Sequence, residues 1–219
     1  MRQSLLSLLE SHSLRNTLRP AGIALTLAAV STGAQAQSIA ALPAASEPVM
    51  EIGAAKPTAA WTRFCEQKPI ECAVDASQAA TIPLTATEWQ TINRINRQVN
   101  AAIKPKTDKD HWGVEDRWDF AEDGYGDCED YQLVKRKRLV EAGFPRRALR
   151  MTVVIDDEGA GHAVMMVRTD KGDFILDNKK DAVLPWHQTG YTYIKREGDG
   201  GTAWASLGRQ TSPVMTANK

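Results

Sequence analysis

The sequence predicts an α+β fold in which helices come first and an antiparallel sheet follows. Two observations carry this. Before residue 143, two segments show helix signals in their caps, periodicity or charge placement. After residue 148 the pattern changes to short stretches rich in Val, Ile, Met, Phe and Tyr, separated by turns containing Gly and Asp.

The first helix is expected after Thr85. Thr85-Ala86-Thr87-Glu88 has capping-box spacing, and Trp89, Ile92, Ile95, Val99 and Ile103 then recur at three- and four-residue steps until Pro105. Residues 104–126 mix charges, glycines and aromatics without a period, so a long ordered loop is expected there. The second helix should run from Asp127 to Ala142, because acidic residues lie in its first turn, basic residues follow, and Gly143 stops it. Strands are expected at 149–156, 161–168, 173–178 and 191–195.

Outside this core, residues 1–36 read as a secretory signal peptide. Arg2, Arg15 and Arg19 precede the apolar stretch 21–30, and Ala34-Gln35-Ala36 offers the small residues that signal peptidase accepts. That stretch is well short of the roughly 20 residues a membrane-spanning helix needs, so no membrane insertion is expected after cleavage. Residues 37–60 are rich in Ala, Pro, Ser and Thr and read as a flexible linker, 61–197 as the folded domain, and 198–219 as a frayed C-terminal tail. Twenty-seven basic residues balance twenty-seven acidic ones, so no overall field attracts nucleic acid or an anionic membrane.

The cysteines are Cys65, Cys72 and Cys128. An odd count in an oxidising compartment suggests one pair and one free thiol. Cys65 and Cys72 flank the turn-prone Lys68-Pro69; whether they pair or remain two buried thiols stays open, and on either reading Cys128 is left over. Cys128 is placed at a helix N-terminus, where unpaired N–H groups and the macrodipole favour a thiolate. Gly124 and Gly126 permit a close turn that leaves the sulfur accessible.

A thiol nucleophile needs a base, and beyond the signal peptide the histidines are His111, His162 and His187. His162 opens an alternating strand and is therefore rigidly placed; His111 and His187 read as surface residues. An orienting carboxylate follows from strand register. With a two-residue turn at Asp170-Lys171, Thr169 faces Gly172 and Val164 faces Asp177, which puts Asp177 diagonal to His162 on one face. Asp127, Glu129 and Asp130 oppose a thiolate at Cys128. They have two readings from the residues alone: an ordinary acidic first turn, or oxygen ligands for a hard cation such as calcium.

Four motifs in order carry a family resemblance: Gly126-Asp127-Cys128-Glu129-Asp130-Tyr131, Gly161-His162-Ala163-Val164, Gly172-Asp173-Phe174-Ile175-Leu176-Asp177-Asn178 and Leu184-Pro185-Trp186. Over residues 61–197 the chain resembles the bacterial transglutaminase-like cysteine proteinases. The resemblance implies a papain-like or transglutaminase-like core, with a nucleophile helix packed on an antiparallel sheet and a Cys128-His162-Asp177 triad. It also implies a periplasmic protease that uses calcium, held by Asp127 and Glu129 with Asp130 added, and that clips a cell-surface adhesin in biofilm control. A protein substrate and a regulatory receptor in the inner membrane are the implied partners. Two other functions share the fold: a protein-glutamine transglutaminase or amidase, which passes through the same thioester, and a non-catalytic periplasmic binding domain.

Overall fold

The computed structural model describes residues 41–200 and 203–208. The expected signal peptide, residues 37–40 of the linker, and 201–202 and 209–219 of the tail lie outside the described residues.

Strand β1 (Gly53–Ala55) precedes two short helices, α1 (Ala59–Gln67) and α2 (Pro69–Cys72). Thr58 caps α1 by accepting from the Trp61 N–H at 3.1 Å, and Trp61, Phe64 and Cys65 turn inward. Pro69 opens α2, where its missing N–H costs nothing. A Cys65–Cys72 disulfide joins the two helices. Closing so short a loop stabilises the fold by about 2–3 kcal/mol in the chain-entropy account.

Helix α3 (Ala86–Ala102) matches its sequence signals: Thr85 is the N-cap, and Trp89, Ile92, Ile95 and Val99 are buried. Asn96, on the same face, is buried with them. The segment expected to be loop is more regular than its sequence suggests. β2 (Lys104–Pro105) pairs in parallel with β3 (Tyr125–Gly126), and α4 (Asp108–Trp112) lies between them. Gly113, at φ 72°, ends α4 in the left-handed region where glycine carries no penalty.

Helix α5 (Cys128–Glu141) packs on α3 and, in the sheet, chiefly on the strand Gly161–Thr169. It has no clean apolar stripe, because Glu129, Asp130, Gln132, Lys135 and Arg136 are buried beside Leu133 and Leu139. Arg136 anchors it: Nη1 donates to Glu197 at 3.1 Å, a carboxylate also held by Arg146 and by the Met151 N–H. Removing one partner of such a buried pair leaves an uncompensated charge, typically at a cost of about 3–5 kcal/mol. The orientation of α5, and so of its first residue, rests on that anchor.

Strands β4 (Leu149–Ile155), β5 (Gly161–Thr169), β6 (Gly172–Leu176), β7 (Leu184–Pro185), β8 (Thr192–Glu197) and β9 (Trp204–Ser206) follow, with short 3-10 turns at Arg146–Ala148 and Trp186–Gln188. Among the described residues one antiparallel sheet runs in the order β1-β9-β8-β4-β5-β6-β7. The β5–β6 register has Thr169 opposite Gly172 and Met165 opposite Leu176, the pairing expected from the two-residue turn. Met165 and Val167 join the main core under the helices, whereas Val164 and Met166 pack on the other face with Val49, Val154, Ile175, Tyr191 and Tyr193. The sheet takes in β1 and β9, which lie on either side of the 61–197 span read as the domain. Val49 is buried and its N–H donates to Asp173 Oδ2 at 2.8 Å, so this part of the expected linker is bound to the sheet.

Candidate active site

Cys128 is the first residue of α5, where backbone N–H groups lack helical acceptors. Gly126 sets up this start: a Cβ there would meet Asp130 Cβ and Oδ2 at 2.8 Å, so only glycine lets the Asp130 carboxylate fold back over the turn. Asp130 uses that space to accept from the Asp127 N–H at 3.4 Å and the Asp119 N–H at 2.7 Å. The sulfur is not exposed as the sequence suggested; Cys128 is only 4% accessible. Its thiol lies 3.1 Å from Glu129 Oε2, and Sγ accepts from the Ala163 N–H. Burial, with the Glu129 and Asp127 carboxylates, pushes the thiol well above its ordinary range, and the Ala163 N–H opposes this.

Ala163 follows His162 on β5, so the sulfur sits beside the strand position next to the histidine. His162 is 3% exposed, and its Nε2 is 2.8 Å from Asp177 Oδ1. Asp177 is fully engaged: Oδ1 also accepts from the Lys179 N–H at 2.9 Å, and Oδ2 accepts from the Tyr191 hydroxyl at 2.6 Å. Burial works against its ionisation, but the His162 hydrogen bond and charge, the Tyr191 hydroxyl and the Lys179 N–H outweigh it and hold the carboxyl down at about 2. The Tyr191 ring stands edge-on to the imidazole at 6.0 Å and 88°.

Asp127, Glu129 and Asp130 belong to a larger acidic cluster with Asp108 and Asp116. Carboxylate oxygens of Asp108, Asp127 and Asp130, and of Asp108, Asp116 and Glu129, lie within 4.8 Å of one another. Burial, reinforced by Asp127, raises Asp108 to about 7, and burial with neighbouring carboxylates raises Glu129 and Asp130 well above their usual range. Asp108 Oδ1, Asp127 Oδ1 and Glu129 Oε1 are buried without a hydrogen-bond partner. Among the described residues no ion pair ties Asp108, Asp127, Glu129 or Asp130 to a basic side chain. Oxygen-only donors crowded together, whose ionisation no basic side chain offsets, fit a hard divalent cation, and carboxylate-rich sites of this kind suit calcium.

The structure thus brings Cys128 beside the position following His162, places His162 on Asp177, and gathers Asp127, Glu129 and Asp130 at the same helix start. The sequence reading missed Tyr191, Asp108 and Asp116. Capping of α4 by Thr107, whose Oγ1 accepts from the Asp110 N–H, was the one local signal that Asp108 begins a helix. His187 is exposed as expected, but His111 is half-buried on α4, with Nε2 2.7 Å from Asp123 Oδ2.

A thiol at a helix start beside a histidine–aspartate pair on an antiparallel sheet defines the transglutaminase-like class of cysteine hydrolases. The chain belongs to the bacterial transglutaminase-like cysteine proteinase family, whose model matches residues 51–212, and is a cysteine peptidase by that membership. Comparison with curated proteins gives no match. Among solved structures it is similar to Legionella pneumophila LapG, at 25% identity over 56% of this chain and 71% of that one, with a TM-score of 0.48. Two further structures of that protein, one calcium-bound and one EGTA-treated, are each 24% identical with a TM-score of 0.47. The calcium-bound match covers 57% of this chain and 73% of that one, and the EGTA-treated match 59% and 71%. Among the described residues no helix is long and apolar enough to cross a membrane.

Proposed function

We propose that the protein is an exported, periplasmic cysteine peptidase that cleaves a peptide bond through a Cys128-His162-Asp177 triad and a thioester intermediate. The observation that carries this is the His162–Asp177 hydrogen bond beside a sulfur held by the Ala163 N–H. Because Nε2 is committed to Asp177, Nδ1 is the imidazole nitrogen left to take the thiol proton. Cys128 Sγ attacks the scissile carbonyl carbon, and the Cys128 N–H at the helix start stabilises the oxyanion. His162 then gives the proton to the leaving amine, the acyl group remains on sulfur as a thioester, and His162 deprotonates the water that releases the acid.

Asp108, Asp116, Asp127, Glu129 and Asp130 are the residues that would hold calcium. When bound, it supplies positive charge that offsets the carboxylates raising the Cys128 thiol. Family membership supports a protein substrate. A cell-surface adhesin processed in biofilm control, with a regulatory receptor in the inner membrane, is the assignment we take from the sequence resemblance, and residues 1–36 as signal peptide direct the chain to that compartment.

The test is cleavage by the purified protein carrying Cys128→Ala, with calcium present. The expected result is complete loss of turnover with an unchanged melting temperature; undiminished turnover would reject the assignment. Adding a primary amine separates hydrolysis, which leaves the amine free, from transfer, which couples it to the acyl product.

A further inference from the structure

The β5–β6 ladder stops at Met165–Leu176, three residues short of His162. Continued in register, it would next join Ala163 to Asn178, but helix α5 fills that place. The Ala163 N–H bonds to Cys128 Sγ, and the Ala163 carbonyl accepts from Gln132 Nε2 at 3.3 Å. The same Gln132 Nε2 donates to Asn178 Oδ1 at 3.3 Å. Gln132 lies one turn after Cys128 on the same face of α5, so a single amide spans the two parted strands and ties both to the cysteine's helix.

The segment following Asp177 is held from the other side by α3. Asn100 Nδ2 donates to the Asp177 carbonyl and to Asp181 Oδ1, each at 2.9 Å. Asn96 Nδ2, one turn earlier, donates to the Asp181 carbonyl at 3.0 Å and the Lys180 carbonyl at 3.2 Å. Asn96 and Gln132 have no accessible surface. Burying an amide where an apolar residue would pack costs free energy, the more so here because Asn96 Oδ1, Asn100 Oδ1 and Gln132 Oε1 are buried without a partner, and what the bonds made by the amide nitrogens give in return is a defined geometry. Here every one of these donated bonds ends on the β5 strand or the 177–181 turn.

We propose that Gln132, with Asn96 and Asn100, are positioning residues: they hold β5 and the 177–181 turn apart at a fixed spacing so that His162 and Asp177 meet each other beside Cys128. The proposal rests on the triad reading above. None of the three amides touches the reacting atoms; Gln132 acts through Ala163 and Asn178, and the asparagines act through the backbone of the turn and the Asp181 carboxylate. The active centre is then a wedge opened between two strands, with α5 supplying both the thiol and the bridge.

Gln132→Met keeps the length of the side chain and removes the amide, and Asn100→Leu does the same from α3. In the full chain with calcium, three quantities are read for each: kcat and KM on a fluorogenic peptide, the downfield proton resonance of the His162–Asp177 hydrogen bond, and the melting temperature. The expected result per folded molecule is a kcat lower by about ten- to a hundredfold with KM within about twofold, since a small misplacement of reacting groups has effects of that size. The resonance should broaden or move in both variants. An unmoved resonance and unchanged kcat per folded molecule would overturn the proposal and leave the amides a merely structural role. If Gln132→Met does not fold, Asn100→Leu and Asn96→Leu decide by the same criteria. Cys128→Ala separates the two readings: it should keep the resonance while losing turnover, and turnover that survives it refutes the triad rather than the bridge.

Discussion

Asp177 and the carboxylates at the start of α5 are equally buried, yet they come to opposite electrostatic ends. Asp177 accepts hydrogen bonds from His162, Lys179 and Tyr191 and is held down at about 2. Asp108 is lifted to about 7, and Glu129 and Asp130 are pushed up as well, because burial disfavours their charge and neighbouring carboxylates add to that effect. The difference lies in where the compensating groups come from. The fold supplies all of Asp177's partners from its own chain, whereas the acidic cluster keeps unpartnered oxygens on Asp108, Asp127 and Glu129. One site is complete as folded; the other has buried carboxylate oxygens left over, which the proposed cation would take up.

The sharpest way to break this comparison is to neutralise the complete site. Asp177→Asn keeps the shape but loses the charge and disturbs the imidazole tautomer, and kcat/KM should fall by about a thousandfold or more, measured by peptide cleavage. Next comes the incomplete site. Calcium at about a hundred times its Kd should stabilise the fold by about 2.7 kcal/mol, seen as a melting temperature higher by about 5–10 °C than in chelator. Asp127→Asn with Glu129→Gln should abolish that response, and a wild-type protein indifferent to chelator would remove the calcium assignment.

A smaller effect comes from pH. The folded-state value of Asp177, about 2, lies below its ordinary 3.8. Its contribution to stability is therefore fully present above pH 4 and lost as pH falls through 2. That contribution is about 2 kcal/mol, read as the difference in denaturant unfolding between wild type and Asp177→Asn across that window. The smallest change is Tyr191→Phe, which removes one of the donors to Asp177 and keeps the ring. Losing a hydrogen bond to a charged acceptor costs about 1.5–3 kcal/mol at most, and the remaining donors to Asp177 soften it, so activity should fall several-fold with KM unchanged. A drop as large as that of Asp177→Asn would show that the hydroxyl does more than hold the carboxylate.

Much of the fold was legible because its signals are local. Thr85 and the Trp89-to-Val99 spacing mark α3, and the two-residue turn at Asp170-Lys171 sets the observed β5–β6 register as far as Met165–Leu176, just short of His162 and Asp177. Cys128 was legible as the thiol left over once Cys65 and Cys72 pair. What escaped depends on contacts between distant segments. Gly53, Ala54 and Ala55 have the composition of a linker, and only their pairing with Trp204–Ser206 makes them a strand. Asp108 and Asp116 lie in a segment without periodicity, and nothing local says that they meet Asp127 and Glu129. Tyr191 reaches Asp177 across 14 positions from the end of another turn. The sequence carries no signal that the amides Asn96 of α3 and Gln132 of α5 are buried, and in the structure neither has accessible surface.

Capture of the intermediate tests the triad most directly. The protein, with calcium, is mixed with a peptide that it cleaves, quenched in acid within milliseconds and examined by mass spectrometry. An acyl group on the peptide containing Cys128, formed faster than product appears in free solution and absent from Cys128→Ala, is the expected result. Product released at full rate with Cys128 never acylated would contradict covalent catalysis at this thiol.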